Sequence, residues 1–271
     1  MDVIGVLDDD YDNLGHIPGG PQYSGQWAEA AAQWRKTECN AGRLQSDLAY
    51  GTGERERFDL FQPHLPGGTP PKGLMVFIHG GYWMRFDRKL FSHLAAGAQA
   101  AGWAVAMPSY TLCPQQRVSA TVRQIARALP VMAAMVPGPL VIVGHSAGGH
   151  LAARMLQPGM LPAEVAARLR RVVPISPLAD LRPLLQTTMN EIFRLDMAEA
   201  AAESPLLMKQ RLDVPVTIWV GAKERPVFKR DARDLAQAWE VDCIVAEGRH
   251  HLDVIEPLEI ADSQLLVSTL A

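Results

Sequence analysis

The chain has 271 residues, 48% of them hydrophobic and 20% charged, with a formal net charge of -3. That balance fits a folded globular chain built as a single domain over 1–271 and excludes the apolar-poor, highly charged profile of a disordered protein. No run of Lys and Arg is long enough to follow a phosphate backbone, so nucleic acid is not an expected partner.

The chain opens on Met1-Asp2-Val3-Ile4 and soon reaches Asp8-Asp9-Asp10, the reverse of the positively charged start of a secretory signal. Ile17-Pro18-Gly19-Gly20-Pro21 reads as a surface connection, and Trp27, Ala30, Ala31 and Trp34 form a helical stripe within Ser24–Lys36. That stripe would pack an N-terminal arm, about 1–42, onto the body. A turn follows at Pro66-Gly67-Gly68-Thr69-Pro70-Pro71, and from residue 73 strand and helix patterns alternate. Leu74–Ile78 predicts a strand, Lys89–Ala101 a helix and Trp103–Met107 a strand. Val118–Met135 predicts a helix, Leu140–Val143 a strand, His150–Leu156 a helix and Val172–Ile175 a strand. The stretch 177–212 interrupts the alternation with Leu184, Leu185, Met189, Phe193, Met197 and Met208, and predicts a small helical cap over a site. Val214–Val220 resumes as strand, Arg230–Trp239 as helix, Cys243–Ala246 as strand and Leu258–Leu270 as a closing helix. This is an α/β pattern: a mostly parallel, doubly wound sheet with helices on both faces and ligands bound beyond the carboxyl ends of its strands.

The most membrane-like stretch, Leu94–Met107, is rich in Ala and Gly, contains Gln99 and ends before Pro108, so it is too short and too weakly apolar to span a bilayer. No membrane partner is expected. Cys39, Cys113 and Cys243 stand far apart without paired spacing, which predicts free thiols in a reducing compartment and a cytoplasmic location. The eight histidines form neither H-E-x-x-H nor a clustered Asp/His spacing, so neither a metal site nor a cofactor is expected.

Three positions just after predicted strands carry unusual chemistry. Leu140–Val143 runs into Gly144-His145-Ser146-Ala147-Gly148-Gly149 and then a helix, the strand–turn–helix context that makes a G-x-S-x-G match informative. The turn leaves the Ser146 hydroxyl projecting over the sheet at a helix N-terminus, where unpaired N–H groups favour developing negative charge. Met75–Ile78 leads into His79-Gly80-Gly81-Tyr82-Trp83, whose glycines let backbone N–H groups approach an oxyanion. The expected donors are Gly81 or Tyr82 together with Ala147, while His79 braces the loop. A histidine base is expected after the last strand, at His250 or His251. The acid that orients it is Glu224, which follows the Val216–Val220 strand, or Asp180, which follows Ile175; placement favours Glu224. Asp253 stands too close to His251 in sequence to orient it and reads as a helix cap.

Together the His79–Trp83, Gly144–Gly149 and Gly248-Arg249-His250-His251-Leu252-Asp253-Val254-Ile255 segments resemble the kynurenine formamidase (arylformamidase) and carboxylesterase branch of the α/β-hydrolase superfamily, from about residue 44 onward. The resemblance implies the α/β-hydrolase fold and a Ser146–His251–Glu224 triad. Glu224-Arg225-Pro226-Val227-Phe228 matches the family's acid–Pro–Phe pattern with Glu in place of the more usual Asp, and the register of the closing motif falls on His251. Leu252 replaces an aromatic residue and His250 stands where an acid is common. The implied substrates are small carboxylic esters and aryl formamides such as N-formylkynurenine. Tyr82, Trp83, His145, Met189 and Phe193 are the expected substrate-binding residues. Homodimers are common among such enzymes, but no residue in the sequence specifies one.

Overall fold

The computed structural model describes residues 4–66 and 68–271; the opening Met1-Asp2-Val3 and Gly67 of the expected turn lie outside the described residues. Eight strands form one sheet: β1 Leu44–Ala49, β2 Arg57–Phe61, β3 Leu74–Ile78, β4 Ala104–Pro108, β5 Leu140–His145, β6 Leu169–Ile175, β7 Thr217–Gly221 and β8 Asp242–Ala246. Their spatial order is β1-β2-β4-β3-β5-β6-β7-β8, with β1 and β2 antiparallel at one edge and every pair from β4 to β8 parallel.

Period-two alternation explains why the parallel strands are apolar throughout. In β3, Leu74, Val76 and Ile78 face one core layer, and Met75 and Phe77 face the other. In β5, Leu140 and Ile142 divide from Val141 and Val143 in the same way. The helices Val118–Met135, Ala147–Arg154 and Pro226–Trp239 cover the first face. Tyr23–Asn40, the 88–100 segment and Gln264–Leu270 cover the second. A sheet buried on both faces reads as continuous hydrophobic text, which is why these strands were legible.

The two antiparallel strands, β1 and β2, were not read from the sequence. In β2 the pattern is broken by Asp59, a fully buried carboxylate that meets Arg35 at 2.5 Å and Arg88 at 3.1 Å. Those partners come from other elements, so the local text looks wrong for a core strand. Strand β1 is largely exposed and irregular between Gln45 and Leu48, with Asp47 at φ 56°. Other boundaries differ too. The expected helix at Lys89–Ala101 begins as a 3₁₀ segment, Arg88–Ala95, before turning α-helical at Ala96–Ala100. The expected closing helix is split into Glu256–Glu259 and Gln264–Leu270. The 177–212 stretch holds four short helical pieces, Arg182–Gln186, Asn190–Phe193, Met197–Glu203 and Pro205–Leu207. Among the described residues no helix is long and apolar enough to cross a membrane, and the three cysteines are unpaired.

Candidate active site

The site is assembled at the carboxyl ends of the parallel strands. Strand β3 delivers His79–Tyr82, β5 delivers Ser146, β6 delivers Ser176, and the segments after β7 and β8 deliver Glu224 and His251. Because β3, β5, β6, β7 and β8 are consecutive neighbours in the sheet, residues far apart in sequence converge.

Ser146 sits at φ 56°, ψ -120°, outside the regions an L-residue prefers, and the helix Ala147–Arg154 starts at the next residue. The glycines around it are sterically required. A Cβ on Gly144 would stand 2.0 Å from Gly148 O, and one on Gly148 2.0 Å from Ile78 O. Gly80 lies against the same turn: its Cβ would come within 2.8 Å of His145 O and 3.0 Å of Ser146 Cβ. The glycine loop after β3 and the serine turn after β5 therefore touch. Gly81 and Tyr82 both have positive φ, and the N–H groups of Gly81, Tyr82 and Ala147 have no acceptor among the described residues.

His251 Nδ1 is 2.7 Å from Glu224 Oε2. Glu224 Oε1 accepts from Ser176 Oγ at 2.5 Å and from Gly221 N at 2.7 Å, so both carboxylate oxygens are engaged and the group is buried. The His251 ring packs on Phe228 at 4.3 Å between centroids and beside His145 at 4.7 Å. His145 Nε2 donates to the His251 carbonyl at 2.8 Å. Burial, with the neighbouring His251 adding to it, holds the His145 pKa well below the ordinary imidazole value, so this ring is neutral and serves as a donor. His79 is stacked between Tyr110 at 4.4 Å and Phe91 at 5.8 Å, and burial lowers its pKa to about 4. It braces the glycine loop.

The two histidines of the closing motif diverge. His250 Nε2 meets Tyr23 Oη at 3.0 Å, and its Nδ1 accepts from the Leu252 and Asp253 N–H groups at 3.2 Å. Asp253 accepts from His250 N at 2.6 Å. Asp180 is held by Arg182, at 2.7 and 2.9 Å, and makes no contact with His251. The structure therefore brings His251 and Glu224 together, and leaves His250 and Asp180 in loop-bracing roles.

A cavity of about 500 Å³ opens over these groups, lined by Gly80, Gly81, Tyr82, His145, Ser146, Met189, His251 and Leu252. Two expected pocket residues are absent from it. Trp83 and Phe193 are 0% and 1% exposed and pack edge-to-face at 5.6 Å, with His150 against the other side of Trp83. This corrects their expected place: both rings are buried in the core against each other, behind the cavity wall. Of the 177–212 stretch, Thr188 and Met189 reach the cavity. Much more of its wall comes from the N-terminal segment, including Tyr11, Asp12, Asn13, Tyr23 and Trp27. Those residues, and Ser176 behind Glu224, were missed in the sequence. Ser176 stands directly after β6, so strand-end position was a usable signal for it; the N-terminal residues carry no comparable local mark.

A family model for the alpha/beta hydrolase fold matches residues 75–251, the stretch that contains the serine turn, the glycine loop, Glu224 and His251. The chain belongs to that family. Within it, this alpha/beta hydrolase is 26% identical to the kynurenine formamidase of Danio rerio over 236 residues, 83% of this chain and 79% of the other. It is 26% identical to the kynurenine formamidase of Drosophila melanogaster over 239 residues, 80% and 78% of the two chains. The crystal structure of a candidate thioesterase from Silicibacter sp. TM1040 superposes with a TM-score of 0.95 at 50% identity, covering 98% of this chain and 100% of that one. Esterase 2 of Thermogutta terrifontis, phosphoramylated by tabun, shares the fold at a TM-score of 0.63 and 20% identity, over 83% and 94% of the two chains.

Proposed function

We propose that this alpha/beta hydrolase is a serine hydrolase of small carboxylic esters and aryl formamides, with Ser146 as nucleophile, His251 as base and Glu224 as the acid that orients it. The observation that carries the reading is the 2.7 Å contact of His251 Nδ1 with a doubly anchored Glu224, on the cavity that Ser146 also lines. A buried carboxylate on Nδ1 fixes the tautomer that leaves Nε2 free to take a proton, and it stabilises the imidazolium that results.

The Ser146 hydroxyl attacks the substrate carbonyl carbon while its proton passes to His251 Nε2. The carbonyl oxygen becomes an oxyanion and is met by the unpaired N–H groups of Ala147 and of Gly81 or Tyr82. The tetrahedral intermediate collapses, the C–O or C–N bond breaks, and the leaving alcohol or amine takes the proton from His251. Water, deprotonated by His251, then attacks the acyl-serine and releases the carboxylic acid, or formate from a formamide. The kynurenine formamidase relatives favour the formamide arm. The half-identical candidate thioesterase adds a thioester arm that would pass through the same acyl-serine.

The test is steady-state hydrolysis of N-formylkynurenine beside p-nitrophenyl acetate, p-nitrophenyl butyrate and a butyryl thioester, each with Ser146→Ala as control. Turnover abolished by the substitution supports the reading, and a folded Ser146→Ala protein that keeps substantial activity overturns it. The ranking of kcat/KM assigns the preferred acyl compound.

A further inference from the structure

The cavity wall built by the N-terminal segment is rich in acceptors. Asp8, Asp9, Asp12 and Asn13 all line it, together with Ser146 and His251. Asp9 is occupied by Arg225 at 2.6 Å and His16 at 2.7 Å, but Asp8 and Asp12 have no ion pair among the described residues. Asp8 accepts from Thr188, and Asp12 accepts from Gly15 N. Arg85 is the one Lys or Arg in the lining.

Asn13 supplies the second observation. It is 6% exposed, yet its Oδ1 has no hydrogen-bond partner among the described residues. Its amide is oriented by a short chain of bonds: Asn13 Nδ2 donates to Tyr82 Oη at 3.5 Å, and Tyr82 Oη donates to the Tyr11 carbonyl at 2.8 Å. Tyr82 belongs to the glycine loop after β3, so this chain ties the acceptor wall to the proposed oxyanion donors. With Nδ2 used, Oδ1 is the acceptor left over, and a buried acceptor without a donor is costly unless a ligand supplies one.

We propose that Asn13, with the Asp12 carboxylate beside it, is a substrate-specificity determinant that selects acyl compounds carrying an ammonium group or a comparable N–H donor away from the scissile bond. This rests on the cavity being the substrate site proposed above. An ammonium would satisfy Asn13 Oδ1 and gain an ion pair with the exposed Asp12 carboxylate; a plain alkyl ester would leave Asn13 Oδ1 unmet.

Binding to the Ser146→Ala protein, read by tryptophan fluorescence, separates this inference from catalysis. The probes are N-formylkynurenine and its des-amino analogue, 4-(2-formamidophenyl)-4-oxobutanoate. The ammonium-bearing compound is expected to bind about tenfold more tightly, and the ratio to fall to within about threefold in Asn13→Leu and in Asp12→Asn, which keeps the acceptor for Gly15 N. Raising the salt concentration should narrow the ratio on the unsubstituted wall, a readout that needs no folding variant. Equal affinities for the two probes, or a ratio untouched by both substitutions and by salt, would overturn the proposal. Absence of turnover with the serine intact, in the presence of this discrimination, would instead count against the serine-hydrolase reading alone.

Discussion

Two regions meet over Ser146, and they are built on different principles. The sheet-end region, from the glycine loop after β3 to His251 after β8, is held by contacts that admit almost no change: Gly144, Gly148 and Gly80 each stand where a Cβ would strike backbone. The N-terminal segment from Asp8 to Trp27 lies outside the residues matched by the family model, yet it supplies much of the cavity wall. It is attached through side chains, with Asp8 on Thr188, Asp9 on Arg225 and Tyr23 on His250. The contrast separates two jobs. Backbone geometry at the ends of the parallel strands fixes the proposed catalytic groups, while a side-chain-tethered segment forms much of the wall beside them.

That division can be broken by substitution. The largest effects belong to the sheet end. Ser146→Ala and His251→Asn should each lower kcat by about a millionfold with folding intact, measured on p-nitrophenyl butyrate. Glu224→Gln should lower kcat about a thousand- to ten-thousandfold, because an amide can neither fix the imidazole tautomer nor stabilise its charged form. Gly148→Ala tests the backbone itself: with a Cβ 2.0 Å from Ile78 O it should cost about 4 kcal/mol or more in denaturant unfolding, and a variant of ordinary stability would mean the turn is more yielding than its geometry implies.

Acid should act next, through the buried histidines of the same region. Burial lowers His79 to about 4 and His150 to about 3, both below the ordinary 6.5. The unfolded chain therefore binds protons first as pH falls. The stability these neutral rings contribute is whole above about pH 6.5 and is lost progressively towards pH 4 and below, on the order of 3 kcal/mol per ring. Unfolding measured across that window, with His79→Gln as the reference, checks it. The smallest effect should come from the N-terminal side: His250→Asn, which removes the ring that faces Tyr23, should alter kcat/KM less than about tenfold. If it rivalled His251→Asn, the two regions would not be separable in function.

The serine turn was legible because its requirement is local: a strand, two glycines at fixed offsets and a helix lie within a dozen residues. The glycine loop after β3 was legible for the same reason. The partners of the proposed triad were only narrowed, since the text offered two histidines and two acids. Adjacent side chains in one loop diverge, and which one meets Glu224 after β7 depends on how β8 seats beside it. Trp83 and Phe193 were misplaced because hydrophobicity cannot distinguish a pocket wall from the core behind it; their edge-to-face packing on each other puts both in the core.

What the sequence alone determined is what periodicity and steric necessity encode: the alternating parallel sheet from residue 73 onward and a serine on a strained turn between strand and helix. Only the tertiary structure decided that β2 tolerates Asp59, that Ser176 stands behind Glu224, and that Asn13 and Trp27 line the cavity of Ser146. Each of these depends on a partner distant in the chain, and such pairings leave no periodic trace in either member.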